Sequence, residues 1–237
     1  MKRHLLASAA LIATPAMAAN VDIAVQGPVV EITASETVQS EPDQATVSAG
    51  VTTRAPTAVA SMQSNAKRME AVIAKLRALG IAREDIQTSG VTLEAAYDRR
   101  VRDEEPTFLG YDVTNQVSVT LRDIDKVGST LDSLVVAGAN DIEGPSFSRE
   151  DDKPQRIQAR EAAFKAADLQ AREYARIAGF TGTRLLAVEE TLSQGGPIPF
   201  ETAKRGMIVV TAQRRTPIEP GRVGTVVQMT AKYEMTR

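Results

Sequence analysis

Three stretches of this chain repeat apolar residues at helical spacing, and each closes on a glycine that leads into a further strand-like stretch. In the first, Met62, Ala66, Met69, Ile73 and Leu76 form one apolar stripe. Lys67, Arg68, Glu70, Lys75 and Arg77 lie between them, and Gly80 is the stop. In the second, Asp123 reads as an N-cap, Ile124, Val127, Leu131, Leu134 and Val135 as the stripe, and Gly138 as the stop. The third opens at Glu150-Asp151-Asp152 with Pro154 in its first turn. Its spacing places Ile157, Phe164, Ala171 and Ala178 on one face, with Ala167 and Tyr174 in support, and Gly179 ends it.

Between these helices the apolar period drops to two, the signature of half-buried strands. Val47, Ala49 and Val51 alternate with polar neighbours, as do Val113, Val117, Val119 and Leu121. Near the C-terminus Val227, Met229, Ala231, Tyr233 and Met235 alternate with Gln228, Thr230, Lys232 and Glu234. Further strands are expected at Val29–Val38, Ile86–Tyr97, Ile142–Ser148, Leu185–Thr191 and Met207–Gln213. Helix, glycine and strand repeated in this way suit an α+β fold, with three amphipathic helices packed against antiparallel or mixed β-sheets. Asp98–Pro106 reads as a charged hairpin tip, and Ser193–Phe200, with Gly195-Gly196-Pro197, as a loop.

The first residues read as an export signal. Lys2 and Arg3 precede an apolar run from Leu5 to Ala13, Pro15 breaks the run, and Ala16-Met17-Ala18 offers the small residues that a signal peptidase requires. Residues 1–19 are therefore expected to be cleaved, leaving 20–237 as the mature chain. The apolar run is far shorter than the ~20 residues needed to span a bilayer. No later apolar run is longer, so no integral span is expected after cleavage.

The chain has one histidine, His4, inside that leader, and no cysteine. The mature chain is then without imidazole and thiol, which removes His-dependent triads, Cys–His pairs and His/Cys zinc sites. It also means that an exported protein must hold its fold by its core alone. A formal charge of −2 with interspersed signs gives no footprint for nucleic acid, and aromatic residues, at 4%, are too few for stacking platforms.

The carboxylate pairs Glu104-Glu105 and Glu189-Glu190 are adjacent, and neighbours on a strand point to opposite faces. Tyr97, Tyr111, Tyr174 and Tyr233 fit core or strand-face packing. No Ser-x-x-Lys or Gly-x-Ser-x-Gly nucleophile motif occurs. The acidic run Glu150-Asp151-Asp152 lacks the loop of a calcium site and suits the start of a helix dipole. No catalytic, cofactor-binding or metal-binding residue is assigned, and no cofactor is expected. An outer-membrane barrel would need girdles of aromatic residues and has no place for three long helices.

The order of several blocks resembles the SIMPL-domain family, the YggE-like proteins that include the bacterial periplasmic immunogenic protein. The blocks are Glu41-Pro42-Asp43-Gln44-Ala45, Leu79-Gly80-Ile81 leading to Asp85-Ile86-Gln87-Thr88, and Gly110-Tyr111 followed by Asn115-Gln116-Val117-Ser118-Val119. Leu121–Gly128, Gly138-Ala139-Asn140, Ser146-Phe147 and Pro217-Ile218-Glu219-Pro220-Gly221 complete them. The resemblance implies a SIMPL-type domain over 20–237, with two intertwined subdomains as a further possibility. It also implies a periplasmic, oligomer-forming envelope protein linked to envelope homeostasis and oxidative-stress tolerance, without an accepted enzymatic activity. Peripheral association with the outer membrane, an envelope protein partner, ligand binding and a carboxylate-dependent enzyme stay open as alternatives.

Overall fold

The computed structural model describes residues 24–98, 106–193 and 216–237. In chain order the elements are β1 (Val29–Ser40), β2 (Gln44–Ala55), α1 (Ala58–Ala78), β3 (Ile86–Asp98) and β4 (Thr107–Leu121). Then follow α2 (Val127–Ala137), β5 (Asp141–Ser148), α3 (Lys153–Ile177), β6 (Gly182–Ser193) and β7 (Val223–Thr236). The strands form two sheets, β3-β4-β2-β5 and β1-β7-β6, and every pairing in them is antiparallel. This is the α+β architecture read from the periods. The expected strand at Met207–Gln213 and both charged and glycine-rich loop stretches fall wholly or largely outside the described residues, although Asp98 and Thr107 pair across the first of them.

The two-residue period maps directly onto the first sheet. Val47, Ala49 and Val51 on β2 and Val113, Val117, Val119 and Leu121 on β4 are all buried, facing Met69, Val72 and Leu76 of α1. Val127, Leu131 and Leu134 of α2 join the same core. Thr57 caps α1, its hydroxyl accepting from the amide of Ala60 at 3.2 Å. Gly80, Gly138 and Gly179 have φ of 84°, 112° and 82°, the left-handed region in which a Cβ is penalised, so each helix stops where the sequence expects.

The face of α1 differs from the expected stripe. Met69 and Leu76 are buried, but Met62 is 43% exposed, and Ser61 and Asn65 take the inner positions instead. These two polar residues are tolerated because they bond to the sheet beneath them. Asn65 Nδ2 donates to the carbonyls of Val51 (2.7 Å) and Val113 (2.9 Å), tying α1 to β2 and β4 at once. Ser61 Oγ donates to the Thr53 carbonyl at 3.0 Å, and Thr53 Oγ1 returns a bond to the Ser61 carbonyl at 3.1 Å. Buried polar groups satisfied in this way fix register as well as contact.

Helix α3 keeps Ala167 and Ala171 of the expected face inward but turns Ile157, Phe164, Tyr174 and Ala178 away from the sheet. Its buried residues are Ala159, Ala163, Ala167, Ala171 and Ala175, one every fourth position, set against β1 and β7. Ile157 and Phe164 of the expected stripe lie on the exposed side or flank. A methyl stripe lets the helix backbone approach the sheet more closely than Ile or Phe would allow, and Tyr233 and Ile32 fill the space below.

Several blocks from the sequence turn out to be joints. Asp43 follows the crossing from β1 to β2, and its carboxylate accepts the Glu150 amide at 2.8 Å. Arg149 donates to the carbonyl of Glu41 at 3.0 Å. Asn140 brackets Thr52, accepting from its amide at 2.7 Å and donating to its carbonyl at 2.9 Å, and so pins the start of β5 to β2.

Candidate assembly interface

Several charged side chains outside the cores pair with one another. Arg54 makes a two-pronged contact with Asp112 at 2.6 Å, and the Arg54 guanidinium holds that carboxyl below its usual range. Arg160 does the same to Glu190, at 2.6 and 2.8 Å, with the same effect on its carboxyl. Glu189, its neighbour, sits one register step away opposite Thr230, so the two carboxylates do not converge. Glu104-Glu105 lies outside the described residues.

The three carboxylates before α3 also separate. Glu150 pairs with Arg122 at 2.6 Å, Asp151 accepts the Lys153 amide at 3.0 Å, and Asp152 pairs with Arg156. Asp123, expected as the cap of α2, precedes a short 3-10 turn (Ile124–Lys126) and holds Lys126 at 2.6 Å instead. These arrangements are ion pairs at element ends.

The four-stranded sheet offers something different at its β3 side. Among the described residues β3 pairs with β4 only, so its other edge carries backbone amides and carbonyls that no described strand meets. Every residue from Gln87 to Ala95 is exposed, although α1 covers the adjoining β4 and β2. The register explains the exposed apolar side chains. Leu93 lies opposite Val113, a core residue, so Leu93 continues the apolar face of the sheet past the rim of α1. Val91 (52% exposed) and Leu93 (47%) extend that face into solvent.

At the far end three aromatic residues meet edge to face. Tyr97 and Phe108 have ring centroids 5.6 Å apart, and Phe108 and Tyr111 are 5.3 Å apart. The Tyr97 and Phe108 rings stay largely exposed. Clustered apolar and aromatic surface of this kind is the composition of an interface centre. Strand β3 shows two register shifts, at Thr88/Gly90 and Ala96/Tyr97, but it has no proline and no lysine along its 13 residues. Proline and lysine are common protections of a solitary edge.

Sequence spacing reads Tyr97 and Tyr111 correctly as strand-face residues. It does not show that Phe108 joins them, because that contact depends on the pairing of β3 with β4. A second apolar feature, a hollow of about 450 Å³, is lined by Phe164, Val188 and Met229 beside the Arg160–Glu190 pair. Among the described residues no helix is long and apolar enough to cross a membrane.

Comparison with known proteins places these features. The profile of SIMPL, described as a protein of unknown function, matches residues 30–233. A 26 kDa periplasmic immunogenic protein of Brucella melitensis is 27% identical over 93% of this chain and 90% of its own length. The uncharacterized protein YggE of Escherichia coli K12 is 31% identical over 74% of this chain and 70% of its own. YggE of Edwardsiella ictaluri is 29% identical over 84% of each.

Proposed function

The chain belongs to the SIMPL family, and from that premise we propose that it is a non-enzymatic, exported protein of the periplasm that works by self-assembly. Residues 1–19 act as a leader that is removed, and 20–237 form the working unit. The observation that carries this reading is strand β3, a long edge that no strand among the described residues covers, with Val91, Leu93 and the Tyr97–Phe108–Tyr111 cluster. Pairing such an edge with another strand satisfies its backbone groups and removes apolar surface from water together. The name of the Brucella relative supports the periplasmic location. The role supported is structural: envelope homeostasis or tolerance of oxidative stress through an assembled shell or scaffold, with no thiol chemistry in the mature chain and, at most, peripheral contact with the outer membrane.

Light scattering on the purified protein tests this. The expected mass lies well above the 25.4 kDa of one chain. Replacing Val91 and Leu93 with lysine is expected to yield monomer while changing folding stability by about 0.5 kcal/mol or less, as for other surface sites. A wild-type protein that stays monomeric across micromolar concentrations removes self-assembly.

Periplasmic ligand or partner binding is the second reading, favoured by the apolar hollow at Phe164, Val188 and Met229. A fluorescent apolar probe displaced from the monomeric double-lysine variant would favour it. A carboxylate-dependent enzyme has the least support, because Glu190 is engaged by Arg160 and turned away from Glu189.

A further inference from the structure

On β7 the residues Gln228, Thr230, Lys232 and Glu234 alternate with the buried Val227, Met229, Ala231 and Tyr233, and so share the sheet face away from α3. Gln228 is exposed and Thr230 and Lys232 are half-buried, as that face requires. Glu234 is the exception, with its side chain 4% exposed. The chain before β1 covers it. The amides of Gln26 and Gly27 both donate to Glu234 Oε1, at 2.5 and 2.7 Å. Arg184 on β6 donates to Oε2 through Nε at 2.9 Å and through Nη2, and the same Nη2 lies 3.3 Å from the Ala24 carbonyl. The Met235 amide donates to the Pro28 carbonyl at 2.8 Å. Gly27 passes so close to the last strand that a Cβ there would collide with the Met235 carbonyl oxygen.

Two independent features thus converge on one segment: a buried carboxylate with its donors, and a glycine that only the absence of a side chain allows. We propose that Glu234 is the catch of a latch, which orders the segment Ala24–Pro28 only once the final strand is in place. Glu234 lies on β7, whereas Ala24 stands five positions beyond Ala19, where the export signal is expected to end. The segment that precedes β1 is therefore held by β7. Without β7 the segment 24–28 loses its partners there and is a loose extension for proteases; with β7 in place its backbone is tied down although its side chains stay largely exposed. Glu234 acts here as a positioning residue, and Arg184 orients its carboxylate.

The role in export rests on the reading of residues 1–19 as a cleaved leader. The latch itself rests only on the contacts above. The test is hydrogen exchange on protein made from the full-length gene, with the N-terminus fixed by intact mass. Glu234→Ala is expected to speed exchange at Gln26 and Gly27 by about tenfold or more, the scale of losing bonds to a charged acceptor. Glu234→Gln, which keeps an acceptor oxygen, is expected to restore part of the protection. Gly27→Ala should open the same segment by collision, and the double variant Gly27→Ala/Glu234→Ala should open it no further than the stronger single one. Peptides of β2 and β4 should exchange as in the wild type.

Unchanged protection of Gln26 and Gly27 in Glu234→Ala overturns the latch. So does additive opening in the double variant, or equal loosening of β2 and β4. Gly27 lies outside the strands, so its variant keeps the test standing if Glu234→Ala fails to fold. An intact mass that retains residues 1–19 overturns the export role alone and leaves the exchange result to decide the latch.

Discussion

The two halves of the molecule bury their helices by opposite means. Against the four-stranded sheet, α1 and α2 set Met69, Val72, Leu76, Leu131 and Leu134 into a valine-rich floor, a core made by volume. Against the three-stranded sheet, α3 sets five alanines at every fourth position, a seam made by close approach. The first half gains from burying bulky side chains, each contributing about 1.5–3 kcal/mol. The second gains less from each side chain and depends on contact between helix and sheet along the whole length of α3. Its large apolar residues are displaced outward, with Leu169 and Ile177 exposed at 70% and 71%. Polar burial also differs: α1 needs Asn65 and Ser61 to hold it in place, whereas α3 is held at its flank by the exposed Arg160–Glu190 pair.

If this contrast is real, the halves should answer opposite substitutions. The largest effect is expected from emptying the first core: Leu76→Ala should lower stability in urea titration by about 2–5 kcal/mol. A loss under about 1 kcal/mol would mean that the core collapses around the gap, contrary to a packed floor. Next comes the polar tie. Asn65→Ala leaves the Val51 and Val113 carbonyls without that donor, at a cost of about 2 kcal/mol, and Asn65→Leu should not recover it. Recovery by leucine would show that volume alone matters there.

In the second half the sign of the useful change reverses. Filling the seam with Ala167→Leu is expected to destabilise by about 1–3 kcal/mol through overpacking. A neutral or stabilising result would reveal slack between α3 and the sheet and dissolve the contrast. The smallest effect is acidic. The Glu234 carboxyl is held below its ordinary 4.5 by the Gln26 amide first, then by Arg184 and the Gly27 amide. A carboxyl whose folded value is depressed adds stability above its unfolded value and loses it as pH falls through the folded one. Protection of Gln26 and Gly27, after correction for intrinsic exchange, should therefore stay level from neutral pH down to about 4.5 and decline only below that.

Much of the fold was legible because the alternation of apolar and polar residues reports one local fact, which side of a strand faces a core. Val47, Ala49, Val51, Val117 and Val119 are read correctly on that basis, and Gly80, Gly138 and Gly179 mark the helix ends through backbone sterics. Helix faces were less legible. Hydrophobicity favours Met62 and Phe164 as inward residues, yet the structure exposes Met62 and leaves Phe164 on a flank. Ser61 and Asn65 displace Met62 because carbonyls of the sheet lie within reach. Alanine displaces phenylalanine because the helix rests too near the sheet for a ring. The candidate interface was legible only in part: β3 could be read as a strand, but not as an edge.

The sequence alone determines the α+β class, the places where the helices stop, and a described chain from 24 onward with no imidazole or thiol, since these follow from local period, backbone sterics and residue identity. Tertiary structure decided which strand stands at the edge, which helix face turns inward, and that Glu234, written into a wet face, is buried by residues more than 200 positions earlier in the chain. Those outcomes depend on which distant segments meet and how closely, and that distance is not encoded in any local window.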